Sequence, residues 1–131
     1  MKKKTPSIAG VKHDTMKPRY DLISPIATAF LAQVLTYGAE KYAANNWREG
    51  IDQSRLLSAA MRHITAFQSG ILDDPETGLP HTAHAMCCLM FSLELMTSTK
   101  NIDSRFIYTD YQKNLLEKLL ADRAFTMPLQ P

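Results

Sequence analysis

Two carboxylates and two imidazoles fall within the eleven-residue stretch DPETGLPHTAH at positions 74–84. Asp74 and Glu76 precede a Gly78-Leu79-Pro80 turn, and His81 and His84 follow it. Pro80 suits the first turn of a helix, which places His81 and His84 three apart on one helical face. Acids, a turn and then paired histidines can build a divalent-metal site or an acid/base pair. Imidazole nitrogens suit Mn²⁺, Fe²⁺ or Zn²⁺ better than Mg²⁺, and they serve equally as general base or phosphate donor.

Further polar clusters recur at expected helix ends. They are Glu40-Lys41-Tyr42 with Asn46-Trp47-Arg48, Arg62-His63, Asp103 with Arg105, and Lys17 with Arg19 in the opening segment. A nucleoside triphosphate matches this inventory. Its phosphates take cations, and Lys17, Arg19, Lys41, Arg48, Arg62 and Arg105 supply them, the arginines in fork geometry. Glu40, Asp74 and Glu76 offer oxygens to Mg²⁺. Trp47, Tyr37 or Tyr42 can stack on a base, and Asn45 or Asn46 can read its edge. Each residue also has a plainer reading. Trp47 alone is a core anchor, His63 borders the apolar stripe Leu56, Ala60, Phe67, and Asp103 with Arg105 is a surface ion pair. Phosphate loops of the GxxxxGK[ST] and GxGxxG types are absent, the cysteines lack metal spacing, and the scattered basic residues do not form a nucleic-acid groove.

Helices must position these groups. Ser24 and Pro25 open a first helix, with Ile26, Phe30, Leu31, Val34 and Leu35 at helical spacing, running to about residue 44. A second is expected over about 53–68, with Leu56, Leu57, Ala60, Met61, Ile64 and Phe67 on one face. The third, about 80–97, is apolar nearly all round and is therefore expected at the centre. Thr109 and Gln112 form a capping box for a fourth helix to about residue 122. No strand pattern or internal repeat is visible. The expected fold is all-α: a small bundle of about four helices over 24–123, a flexible N-terminal arm over 1–23 and a C-terminal tail over 124–131.

The chain has 131 residues and a net charge of +2, much of the excess in Lys2, Lys3 and Lys4. That length builds one domain with a real core. No apolar run reaches the ~20 residues that span a bilayer, and MKKKTPS lacks a signal-peptide core. The adjacent Cys87 and Cys88 read as reduced, buried thiols, so a cytoplasmic location is expected, with no membrane and no specific nucleic-acid partner.

In order along the chain, these clusters resemble the phage and bacterial dATP/dGTP diphosphohydrolase family. The resemblance covers about residues 10–106. It rests on Lys12-His13-Asp14 with Lys17-Pro18-Arg19, on Tyr37-Gly38-Ala39-Glu40-Lys41-Tyr42 and on Asn46-Trp47 with Gly50. It continues through Arg62-His63, the 74–84 stretch, Asp103 and Arg105. It implies metal-dependent cleavage of a purine deoxynucleoside triphosphate to monophosphate and pyrophosphate. It also implies kinship with the MazG-like all-α pyrophosphohydrolases, which are typically homo-oligomers. Those enzymes hold Mg²⁺ with E-x-x-E and a later E-x-x-D. Here Glu40 is followed three residues later by Ala43, and His81 and His84 stand where paired acids are expected.

The resulting expectation is specific. Glu40, Asp74, Glu76 and His81 hold Mg²⁺ or Mn²⁺, and Glu76, His81 and His84 are catalytic. Lys17, Arg19, Lys41, Arg48, Arg62, His63 and Arg105 bind substrate phosphates, with Asn46 and Trp47 on the base. The alternative is a phage protein that sequesters a nucleotide signal in the same pocket without hydrolysis.

Overall fold

The computed structural model describes residues 9–122. The Ser24 hydroxyl accepts the Ala27 N–H at 3.1 Å and opens α1, Pro25–Lys41, with Pro25 in its first turn. The helix stops three residues before the sequence reading ends it. Ala43 and Asn45 take φ values of 139° and 62°, which no helix accommodates, and they swing the chain into a short 3-10 turn over Asn46–Glu49.

Gly50 follows at φ 111°, where a Cβ would lie 2.7 Å from the Lys100 carbonyl oxygen. Asp52 then caps α2, Gln53–Gln68, its Oδ1 accepting the N–H groups of Ser54 and Ser104, each at 3.1 Å. Helix α3 spans His81–Leu95 and α4 spans Asp110–Ala121. The capping box of Thr109 and Gln112 opens α4 as its sequence predicts.

Helix α3 is central. It packs against α2, α1 and the 3-10 turn, and this is why it is apolar on most sides. Val34 of α1 meets Ala83 and Cys87 of α3 in one cluster, with Leu31, Leu35, Leu79 and Phe91 around it. Trp47, Leu56 and Leu95 form a second cluster with Ile51, Met90 and Phe91. Helices α2 and α3 run antiparallel, because the start of α2 meets the end of α3. There Gln53, 1 % exposed, donates to the Ser92 carbonyl and to Asn101 Oδ1, each at 3.0 Å, and accepts from the Ser92 hydroxyl.

Among the described residues there are four α-helices and no strand, only isolated bridges pairing Asp52 with Ile102 and Asp73 with Pro80. The fold is therefore all-α. Residues 9–23 are exposed and include a 3-10 turn at Tyr20–Leu22. Lys2, Lys3, Lys4 and the tail at 124–131 lie outside the described residues. No described helix is long and apolar enough to cross a membrane.

Candidate functional site

The 69–80 connection folds into a tight turn held by Asp74. Its Oδ1 accepts the N–H groups of Glu76 and Thr77 at 2.9 and 3.0 Å, while its main chain exchanges bonds with Gly78 and Leu79. Gly78 takes a φ of 71° to close the loop. The turn thus occupies one carboxylate oxygen and leaves Oδ2 for other work. That oxygen lies 4.0 Å from Nδ1 of His63, on α2.

His81 starts α3, and its main-chain N–H is bound by the Leu72 carbonyl at 2.9 Å. Its ring, 6 % exposed, turns inward, and its Nδ1 lies 2.9 Å from Nδ1 of His63. His63, Asp74 and His81 each place one ligand-type atom within 4.8 Å of the others. His84, one turn further along α3, stacks on His63 with ring centroids 4.7 Å apart, and its Nε2 shares a 2.7 Å hydrogen bond with the Thr77 hydroxyl. This donor set of two nitrogens and one oxygen fits a first-row transition ion and suits Mg²⁺ less well.

Burial holds His63 below the usual imidazole range, with the neighbouring His84 acting in the same direction and Asp74 opposing. Burial lowers His84 as well, again against the pull of Asp74. For Asp74, burial pushes the carboxyl up. The N–H bonds from Thr77 and Glu76 and the nearby imidazoles outweigh it, and the group ends below its ordinary value. The shifts favour a charged Asp74 carboxylate and neutral His63 and His84 rings at neutral pH, the forms that metal ligation requires.

Beside this cluster the end of α1 is tied to the same turn. Lys41 Nζ donates to Glu76 Oε1 at 2.7 Å, and the Tyr37 hydroxyl lies 3.4 Å from the same oxygen. The ammonium holds Glu76 below the ordinary carboxylate range and is itself raised by it. Glu40 lines a shallow groove of about 400 Å³ with Gln33, Thr36, Tyr37, Thr77 and Leu79. Thr77 joins that groove to His84. A larger groove of about 750 Å³ runs along the other face of α2, past Met61, Arg62, Arg105 and Phe106. None of the site histidines lines it.

Residues 7–105 match the family model described as dATP/dGTP diphosphohydrolase, N-terminal. The chain belongs to this family. It is also 39 % identical over 98 residues to a protein of Salmonella phage PMBT28 named dATP/dGTP diphosphohydrolase. That match covers 75 % of this chain and 33 % of the phage protein, so the chain spans about a third of the length of the curated relative it matches. No solved structure matches. The diphosphohydrolase match takes in the whole histidine cluster and stops before α4.

The other residues singled out in this diphosphohydrolase-family sequence are dispersed. Trp47 is buried, stacked on Phe91 at 4.5 Å and covered by the Arg48 guanidinium at 4.3 Å, as a core anchor. Arg48 also pairs with Glu94 and donates its Nε–H to Asn45 Oδ1 at 3.0 Å, beside Asn46 in the 3-10 turn. Arg19 pairs with Asp21, and Arg105 with Asp103, whose carboxyl is thereby held at about 2. Arg62 bonds the Ser58 hydroxyl on the outer face of α2. Lys17 sits in an exposed turn closed by its own N–H to the Asp14 carbonyl.

His63 joins the Asp74 and His81 set, a grouping that the sequence reading did not make. The signal was present. His63 continues the stripe of Leu56, Ala60 and Phe67 that faces α3, and the end of α2 must meet the start of α3 in an antiparallel pair. Thr77 carries no sequence signal of its own beyond its place in the turn.

Proposed function

We propose that this chain is the nucleotide-hydrolysing domain of a dATP/dGTP diphosphohydrolase, cleaving a purine deoxynucleoside triphosphate between its α- and β-phosphates. One observation carries the reading. The 74–84 turn brings a carboxylate and three imidazoles from two helices into one partly open cluster, beside a lysine on a third helix. The relative's name supplies the substrate class.

In this reaction a water oxygen bonds to the α-phosphorus and the α–β bridging oxygen leaves with pyrophosphate. A divalent ion, when bound, polarises the phosphoryl oxygens and offsets their charge. With Nε2–H donated to the Thr77 hydroxyl, the neutral His84 ring carries its lone pair on Nδ1, and that nitrogen takes the water's proton. Lys41 faces the triphosphate, and Glu76 fixes its position. The groove of Gln33, Tyr37 and Glu40 receives the base, with Tyr37 as its stacking face and Gln33 as a paired donor and acceptor. Trp47 is committed to the core and contributes by fixing the 3-10 turn.

A homo-oligomer in the cytoplasm completes the reading. Leu89 and Leu93 of α3 and Leu119 and Leu120 of α4 are exposed apolar side chains that a second copy would cover. Cys87 and Cys88 are free thiols, which suits a reducing compartment.

The test is incubation of the purified chain with each of the four deoxynucleoside triphosphates and Mg²⁺ or Mn²⁺, with products separated by ion-exchange chromatography. Equimolar monophosphate and pyrophosphate from dATP or dGTP supports the reading. Recovery of every nucleotide intact rejects it, and tight binding of an intact nucleotide would instead mark a sequestering protein.

A further inference from the structure

We propose that His63, Asp74 and His81 together are the metal-binding set, and that they select a first-row transition dication such as Mn²⁺, Fe²⁺, Co²⁺ or Zn²⁺ over Mg²⁺. The carboxylates Glu40 and Glu76 stand outside that set. The proposal deepens the hydrolase reading by naming its ion, but the binding it describes is independent of any nucleotide.

The three donors come from α2, the connecting turn and the start of α3, and each has its own anchor. Asp74 is locked by the N–H groups of Glu76 and Thr77 on Oδ1, which aims Oδ2 at His63. His81 is anchored through its main chain to Leu72 at the start of α3. His63 is held against the His84 ring. Ligand atoms about 2.1 Å from one ion lie about 3.0–3.4 Å from one another at octahedral or tetrahedral angles. The two Nδ1 atoms stand 2.9 Å apart and Asp74 Oδ2 stands 4.0 Å from His63. All three donor atoms lie within 4.8 Å of one another, so ion entry asks for adjustments of less than about 2 Å. Without an ion, one Nδ1 proton is shared between the rings. With one, both rings carry their proton on Nε2.

The donor types decide the ion. Two of three are imidazole nitrogens, which Mg²⁺ accepts poorly and the transition ions favour. Three protein donors also leave coordination positions open for water and phosphate, the pattern of reactive rather than structural sites. Side-chain exposures of 20 % for His63 and 17 % for Asp74 leave an entry path. Glu76 is already engaged by Lys41 and Tyr37, and Glu40 opens onto the neighbouring groove.

The experiment is calorimetric titration of the chelator-treated full chain with Mn²⁺, Co²⁺ and Mg²⁺, with no nucleotide present and the Co²⁺ absorption spectrum recorded in parallel. The expected result is a single Mn²⁺ or Co²⁺ site at least about tenfold tighter than Mg²⁺, with nitrogen ligation in the Co²⁺ spectrum. His63→Gln and His81→Gln each weaken it by about 10–100-fold or more at unchanged helix content by circular dichroism. Glu40→Gln and Glu76→Gln leave it within about threefold. Equal or tighter Mg²⁺ binding overturns the proposal, as does affinity that follows Glu40 and Glu76 instead of His63, or no ion bound at all. A chain that binds Mn²⁺ this way yet leaves every triphosphate intact sinks the hydrolase reading and spares this one. Turnover with Mg²⁺ that ignores His63 does the reverse.

Discussion

Asp74 does two jobs with one carboxylate, and the division is visible oxygen by oxygen. Oδ1 shapes the turn and Oδ2 faces the histidines. Asp74→Asn keeps an acceptor for the turn and removes the charge, so the fold should survive and nucleotide turnover should fall by about 100-fold or more. A steady-state pyrophosphate assay beside a thermal melt checks this. The histidines add a pH signature. Burial lowers His63 and His84 from the usual 6.5, so below that value the unfolded chain binds more protons than the folded one. Stability is then full above about pH 6.5 and declines as pH falls toward the folded values. Thermal melts at descending pH should show this loss without added metal, and His63→Gln combined with His84→Gln should flatten it. At this scale the sequence shows the residue types plainly. Which of them meet is hidden, because His63 reaches His81 only through the packing of α2 on α3.

The helices were readable because their signals are local. Ser24-Pro25 and the Thr109–Gln112 capping box mark ends, and the apolar stripes mark faces. The end of α1 reads three residues too late in the sequence, since nothing in the letter of Ala43 announces positive φ, although Asn45 is a residue type that favours the left-handed region. Gly50 is where an element's placement is most sensitive. It combines φ 111° with a carbonyl oxygen 2.7 Å from any added Cβ. Gly50→Ala should cost about 1–3 kcal/mol or more in urea unfolding, because both strain and a backbone clash must be relieved. Trp47→Ala should cost about 3–5 kcal/mol, as its ring joins the 3-10 turn to α3 through Phe91. A loss of base selectivity at unchanged stability would instead mark Trp47 as a nucleotide platform.

Across the whole molecule the core is thin. The buried apolar side chains among the described residues are Val34, Trp47, Leu56, Ala60, Ala83, Ala85, Cys87 and Leu95, four of them alanine or cysteine. Many larger ones stay exposed, including Phe30, Leu89 and Leu93. Small domains with so little burial are usually completed by a partner. Light scattering on the eluting protein should give a mass above that of one chain, and Leu93→Glu should lower it toward a single chain. The composition and stripes of the sequence pointed to an all-α fold, but which stripes lack a cover is a property of the packed molecule. The central claim concerns the cluster itself. A crystal structure grown with Mn²⁺ and a purine deoxynucleotide bearing a non-hydrolysable α–β bridge tests it most directly. The account predicts an anomalous peak bonded to His63, Asp74 and His81, with the α-phosphate beside it and Lys41 on the phosphate chain. A peak held by Glu40 and Glu76, or a nucleotide seated in the Met61–Phe106 groove away from the histidines, would contradict it.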